Sequence, residues 1–334
     1  MKFDYGKDGL EIEMDPSWNA TILRPTGQEG IENPVKAIRK SFQEPIGTPS
    51  LEELIHQKAN LKELCIVVSD ATRPVPSRFL LEALIQELVG LGIHEDQVNI
   101  LIANGLHRPS RKEERERIFG KDLLTRVNIV DHEARNDSTL EFLGKTADGL
   151  PLFLNEHYVK ADFKILTGYV EPHFFFGFSG GRKSIVPGIA GKETILANHS
   201  AQMIASEYSR FGLYEKNPLH QHALEVAKKV GVDFISNVCI NEKHEITRIA
   251  SGDLEKAHQF LVKHQQEHVF EEVREPFEVI VCGNGGYPLD LNLYQAVKSM
   301  AIGELGVKPG GTIISVNECS DGIGVGQEEF KELI

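Results

Sequence analysis

The sequence predicts an α/β protein of two domains with mostly parallel sheets, the second domain incomplete. Three observations carry this. Short apolar runs (ELCIVVSD, QVNILIANG, RVNIVDH, ADFKILTGYV and VDFISNVCIN) recur along the chain, with helical patterns at Ser77–Leu91 and near Pro218–Val230 between them. The first two runs end in polar residues, at Asp70 and at Asn104–His107, as buried parallel strands do when they deliver their C-terminal ends to a site. After Arg274-Glu275-Pro276 the alternation begins again, which places a larger domain over 1–274 and the start of a smaller one over 275–334.

The elements follow in order. MKFDYG and LEIEM alternate like strands around a turn at Lys7-Asp8-Gly9. A helix is expected from Ser50 to Lys58, with Ser50 as N-cap and Glu53 completing a capping box. Asp70, His107 and His173 each come directly after a strand-like run, so one sheet edge is expected to carry all three. In the second domain FEVIVCGNGG reads as a strand, Asn292–Leu305 as a helix and GGTIISVNE as a strand. About sixty residues are marginal for a stand-alone α/β domain. FKELI, at Phe330–Ile334, reads as a helix just begun, and both points predict an incomplete domain.

Composition narrows the class of partner. A formal net charge of −13 argues against nucleic acid or an anionic membrane, since both reward basic surfaces. Cys65, Cys239, Cys282 and Cys319 show no CxxC spacing, and the first, second and third lie in apolar runs, so buried free thiols in a reducing cytosol are expected. The N-terminus lacks an apolar signal core and no run approaches membrane-spanning length. A cytoplasmic protein is the expectation.

The densest segment is Gly168–Ser200, GYVEPHFFFGFSGGRKSIVPGIAGKETILANHS. It sets His173 and His199 around Lys183, with Gly177, Gly180 and Gly181 just before the lysine, where a chain bends and approaches a ligand. Imidazole serves as metal ligand or general base, and lysine as phosphate partner or covalent anchor. Phe174–Phe176 read as partial core that also walls His173 from water. His199 equally fits a helix-end histidine.

Outside that segment, Asp70 and Thr72 can bond ribose hydroxyls or phosphate oxygens, and Arg73 can grip a carboxylate or phosphate. The same residues fit a helix N-terminus with Asp70 or Thr72 as cap. His107 alone reads as a surface histidine; a second histidine in the same kind of place, His173, strengthens it. Gln295 and Lys298 are three apart on a predicted helix and share a face, which by itself suits a solvated surface. His258, His264 and His268 read as the solvated side of a charged helix, and His220 and His222 as residues near a helix start. GFSGGRKS is not a Walker loop, because Arg182 separates Gly181 from Lys183. GNGGYPLD lacks GxGxxG spacing.

In this order, SDATRP, ANGLHRP, GYVEPHFFFGFSGGRKSIVPGIAG, ANHS and LNLYQAVKS resemble the nickel-pincer lactate racemase family. The likeness runs from near the N-terminus to about residue 300 and rests on five separate motifs. It implies an active site between the two domains and a nickel-pincer nucleotide, Ni(II) held by an S–C–S ligand derived from nicotinic acid mononucleotide. By the same resemblance Lys183 corresponds to the covalent tether and His199 to the protein ligand of the nickel. His107 and His173 are similar to the acid/base pair. Arg73 and Lys298, helped by Gln295, are similar to the groups that hold the substrate, and Asp70 and Thr72 to those that hold the cofactor's ribose and phosphate.

The implied activity interconverts D- and L-2-hydroxy acids, lactate by default, by reversible hydride transfer from C2 to the cofactor through a planar 2-keto acid. Two histidines of roughly neutral pKa (about 6.5 unperturbed) would serve the two directions. Cofactor-making proteins are implied as transient partners. The family's second domain is longer than the sixty or so residues available here, which puts turnover by this chain in question. Three other readings stay open: a racemase or epimerase of a larger 2-hydroxy acid, a nicotinamide-dependent dehydrogenase, and a nickel- or cofactor-binding protein without turnover.

Overall fold

A computed structural model of the protein describes residues 1–324, and the expected helix at Phe330–Ile334 lies outside them. The chain forms two compact units. The larger holds Gln28–Ala71 and Val75–Glu267; the smaller holds Met1–Gly27, Thr72–Pro74 and the chain from His268 onward. These units cut across the linear division at 274/275, because the N-terminal hairpin belongs with the C-terminal segment. Gly6 donates its N–H to the buried carboxylate of Asp290 at 2.8 Å, and Tyr287 donates to the Gly6 carbonyl at 2.8 Å.

The larger unit is built on a six-stranded sheet. Its strands are β1 (Leu64–Ser69), β2 (Val98–Ala103), β3 (Asn128–Asp131), β4 (Phe163–Tyr169), β5 (Phe234–Ile240) and β6 (Ile246–Gly252). Their order across the sheet is β6-β5-β4-β1-β2-β3. All neighbours are parallel except β5 and β6. The expected parallel α/β architecture is therefore present, with one antiparallel edge strand added.

The central strands are buried on both faces. Cys65, Val67, Leu101 and Leu166 point to one side, where the helices Pro218–Val230 and Lys256–His268 supply Val226 and Leu261. Ile66, Val68, Ile100 and Ile165 point to the other, against Phe42 of Pro34–Gln43 and Leu80 and Leu84 of Ser77–Gly90. Alternation at period two thus fills two apolar layers, each such side chain contributing roughly 1.5–3 kcal/mol by burial.

The smaller unit has the N-terminal hairpin of Lys2–Phe3 and Leu10–Glu11, paired antiparallel. It also has two parallel strands, β7 (Phe277–Gly283) and β8 (Val307–Val316), joined through the helix Leu293–Glu304. Cys65 and Cys239 are buried thiols, as expected, whereas Cys282 is only half-buried. No helix among the described residues is long and apolar enough to cross a membrane.

The capping box at Ser50 forms as expected: Ser50 Oγ accepts from the Glu53 N–H at 3.2 Å, and Glu53 Oε2 accepts from the Ser50 N–H at 2.9 Å. Ser50→Ala should lower stability by about 1 kcal/mol, read as a shift in urea midpoint with unchanged slope. No shift would mean that this helix is held by packing alone.

Candidate active site

Parallel sheets gather ligands outside the carboxyl ends of their strands, at the point where the chain begins to build outward in the opposite direction. Here that point lies between β1 and β4: β2 and β3 extend one side, β5 and β6 the other. Asp70 leaves the end of β1, His107 follows β2, and β4 runs on to His173. His107 Nδ1 lies 2.7 Å from Asp70 Oδ2, in partly buried surroundings. The turn carrying His107 is anchored by Gly105, whose N–H donates to the Gly188 carbonyl at 2.9 Å. Buried Asn104 braces the same turn by donating to Asp131 Oδ1 at 2.9 Å.

His173 sits in a short antiparallel pair, Pro172–His173 against Gly177–Phe178. Its Nδ1 accepts from the backbone N–H groups of Phe175 and Phe176, each at 3.2 Å. Gly177 (φ +74°) is required by this turn, since a Cβ there would lie 2.0 Å from the Leu213 carbonyl oxygen. Gly180 (φ +79°) is required for a similar reason, a Cβ meeting Asn237 Oδ1 at 2.8 Å.

The fully buried ring of Phe176 is the common neighbour of the three groups singled out in Gly168–Ser200. The His173 ring lies edge-on to it at 5.7 Å, the Lys183 ammonium stands 4.7 Å from its centre, and the His199 ring is 5.6 Å away. Beneath it Arg182 is only 1% exposed. Arg182 donates to the carbonyls of Phe176, Phe178, Ser179 and Gly180 at 2.7–3.3 Å, and its Nη1 is 3.0 Å from His258 Nε2. Burial pushes this guanidinium down to about 9.

His199 follows the helix Lys192–Asn198 as its C-cap. Its Nδ1 is 3.2 Å from the Ile195 carbonyl, which can only accept, so Nδ1 carries the proton and Nε2 the lone pair. Burial, reinforced by the nearby Lys183 charge, pushes the imidazole down to about 4 and keeps it neutral. A neutral ring with its other nitrogen bonded to a carbonyl is the form in which histidine binds metals.

In the smaller unit, Gln295 opens the helix Leu293–Glu304 and is buried. Its Oε1 accepts from Arg73 Nη1 at 3.2 Å and from Lys298 Nζ at 2.5 Å. The three residues thus form one cationic cluster, in place of the solvated helix face that the spacing alone suggests. Thr72 is half-buried beside Arg73.

One sequence expectation fails. His258 is buried, although its helix reads as a charged surface one; its ring meets Arg182 and the Ser179 carbonyl. His220 and His222 stand in the first turns of the helix Pro218–Val230, as expected, and are buried there. Arg182, read only as the residue that breaks a phosphate-loop pattern, is the clamp of the segment. Polar side chains whose partners lie far along the chain leave no periodic trace. The Asp70–His107 pairing has no signature in the sequence either, because nothing in the spacing links the two residues.

The larger unit, a doubly wound sheet with histidines and a lysine beyond its strand ends, fits an enzyme of the α/β class. Comparison with known proteins gives the family. Residues 5–212 match the family model of the lactate racemase N-terminal domain and residues 273–334 that of the lactate racemase C-terminal domain. A lactate racemase of Thermoanaerobacterium thermosaccharolyticum is 39% identical over 97% of this chain and 75% of its own. One from Lactiplantibacillus plantarum is 39% identical over 86% of this chain and 67% of its own. The solved lactate racemase apoprotein from the former organism superimposes with a TM-score of 0.85 over 97% of this chain and 75% of that one. A Thermotoga maritima protein, 22% identical with a TM-score of 0.61, shares the fold. The chain belongs to the lactate racemase family, and it is an isomerase of the racemase class.

The buried imidazoles give a pH dependence with a definite sign. Burial pushes His132 and His199 down to about 4 and His220 down to about 3. The unfolded chain protonates these rings below about 6.5 while the folded one does not, so between about 6.5 and 4 the unfolded state binds more protons and acid destabilises the fold. Urea midpoints should hold near neutrality and fall through that window. A midpoint unchanged down to about pH 4.5 would contradict it.

Proposed function

We propose that this chain racemises a 2-hydroxy acid, lactate first, with a nickel-pincer nucleotide held by Lys183 and His199. One observation carries the reading: Lys183 and His199 share the buried Phe176 ring, with His199 neutral and its Nε2 lone pair uncommitted to the Ile195 carbonyl. Among the described residues no set of three or more His, Cys, Asp or Glu side chains is grouped to hold a metal. His199 would offer its Nε2 as the protein's ligand to a nickel ion whose other donors an organic pincer would bring. The residues fit the cofactor on these grounds. The amine of Lys183 would be the tether, and Thr72 and Asp70 would hold the ribose and phosphate.

When bound, the cofactor supplies a reversible acceptor for the hydrogen on substrate C2. The chain's own residues do the rest. Arg73 and Lys298, joined through Gln295, fix the carboxylate and polarise the C2 oxygen. His107 takes the hydroxyl proton, and Asp70 at 2.7 Å stabilises the imidazolium that results. His173 serves the opposite face. Phe174–Phe176 keep water from its ring, which guards the keto acid while it turns over. Free thiols and the acidic surface fit a cytoplasmic setting, beside the proteins that make the cofactor.

Produced together with the cofactor-making proteins, the wild-type chain should carry one mass adduct on Lys183 and one nickel, and should racemise lactate. Lys183→Ala should carry neither the adduct nor activity. A wild-type chain that remains unmodified under these conditions, or a Lys183→Ala variant of undiminished activity, would sink the proposal. His107→Ala and His173→Ala should each retain the adduct and lose about a hundredfold or more in kcat, measured by chiral analysis of the product.

A further inference from the structure

His107 and His173 are placed in parallel roles by the proposed function, yet their hydrogen bonds are opposite in kind. The Asp70 carboxylate can only accept, so the 2.7 Å contact requires His107 to carry its proton on Nδ1. Backbone amides can only donate, so the two 3.2 Å contacts from Phe175 and Phe176 require the Nδ1 of His173 to be bare. A neutral imidazole has one proton, so the second nitrogen of each ring follows. Nε2 of His107 presents a lone pair; Nε2 of His173 presents an N–H.

We infer that the two histidines are held as opposite tautomers, His107 by the Asp70 carboxylate as a ready proton acceptor and His173 by the 174–176 turn as a hydrogen-bond donor. This rests on the proposed acid/base reading and divides its labour. When His107 accepts, the substrate O–H bond breaks, an Nε2–H bond forms, and the imidazolium keeps its Nδ1–H on Asp70. His173 has no such route in this conformation. To accept a proton at Nε2 it must first move its own proton to Nδ1, which would set an N–H against two amide N–H groups. The turn must release those amides, so the two directions of the reaction begin from unequal states. Asp70 is then a positioning residue for His107, and the Phe175 and Phe176 amides position His173.

The tautomers are directly visible in two-bond nitrogen–proton correlation spectra of the 15N-labelled, cofactor-free chain near neutral pH. Loss of one histidine pattern in each of His107→Gln and His173→Gln gives the assignments. The expected result is an Nδ1–H pattern for His107 and an Nε2–H pattern for His173. Asp70→Ala should move His107 toward the Nε2–H form that free imidazole favours and leave His173 unchanged, a response that a purely structural aspartate would not produce. The same tautomer at both rings, or an Nδ1–H pattern at His173, overturns the inference. Racemisation by the loaded enzyme is a separate readout: its absence would overturn the functional reading without altering the tautomers.

Discussion

A single buried cation holds the candidate site together. Arg182 gathers the carbonyls of Phe176, Phe178, Ser179 and Gly180 into one fan and meets His258 behind them. A guanidinium can do this because its donors are fixed in a plane; a lysine ammonium offers no such fork. Each of those carbonyls would otherwise be a buried acceptor lacking this donor, at a cost of roughly 1–3 kcal/mol apiece. The segment from His173 to Lys183 therefore folds around an arginine that is itself almost wholly buried.

That fan fixes the Phe176 ring, and the ring gathers three of the groups to which the proposed chemistry is assigned. His173, Lys183 and His199 come from a strand pair, a short 3-10 turn and a helix end, and each is set against the same aromatic surface. Close packing converts three flexible side chains into a constellation with little freedom, which is what a tethered cofactor requires. The glycines before Lys183 follow from the same constraint. Gly177 and Gly180 lie where backbone or side-chain atoms leave no room for a Cβ.

The sheet was largely legible in the sequence because burial on both faces writes short, continuous apolar runs. ELCIVVSD and ADFKILTGYV became adjacent central strands, and the polar residues at their ends reached the sheet edge. The helix Pro218–Val230 was legible too, with Asn217 capping it and Gly231 ending it. The site was legible as a set of residues and much less as a set of contacts. Asp70 meets His107 across 37 positions, and Arg182 meets His258 across 76. Such pairings depend on which strands become neighbours, and periodicity carries no information about that. His258 reads as a surface residue because a histidine that pairs with a buried arginine looks, in one dimension, like any polar residue on a helix. The sequence groups the N-terminal hairpin with the larger domain for the same reason: its link to Asp290 spans 284 positions.

The proposed chemistry makes a distinctive demand on the hydrogen at C2. If it moves as hydride to the cofactor and returns from it, while His107 and His173 handle only the hydroxyl proton, that hydrogen never meets the solvent. The direct test is racemisation of lactate deuterated at C2 by the loaded enzyme in ordinary water. Both enantiomers in the equilibrated product should retain deuterium at C2. Replacement of that deuterium by solvent hydrogen in step with inversion would mean that a base removes a proton from carbon, and would contradict the account.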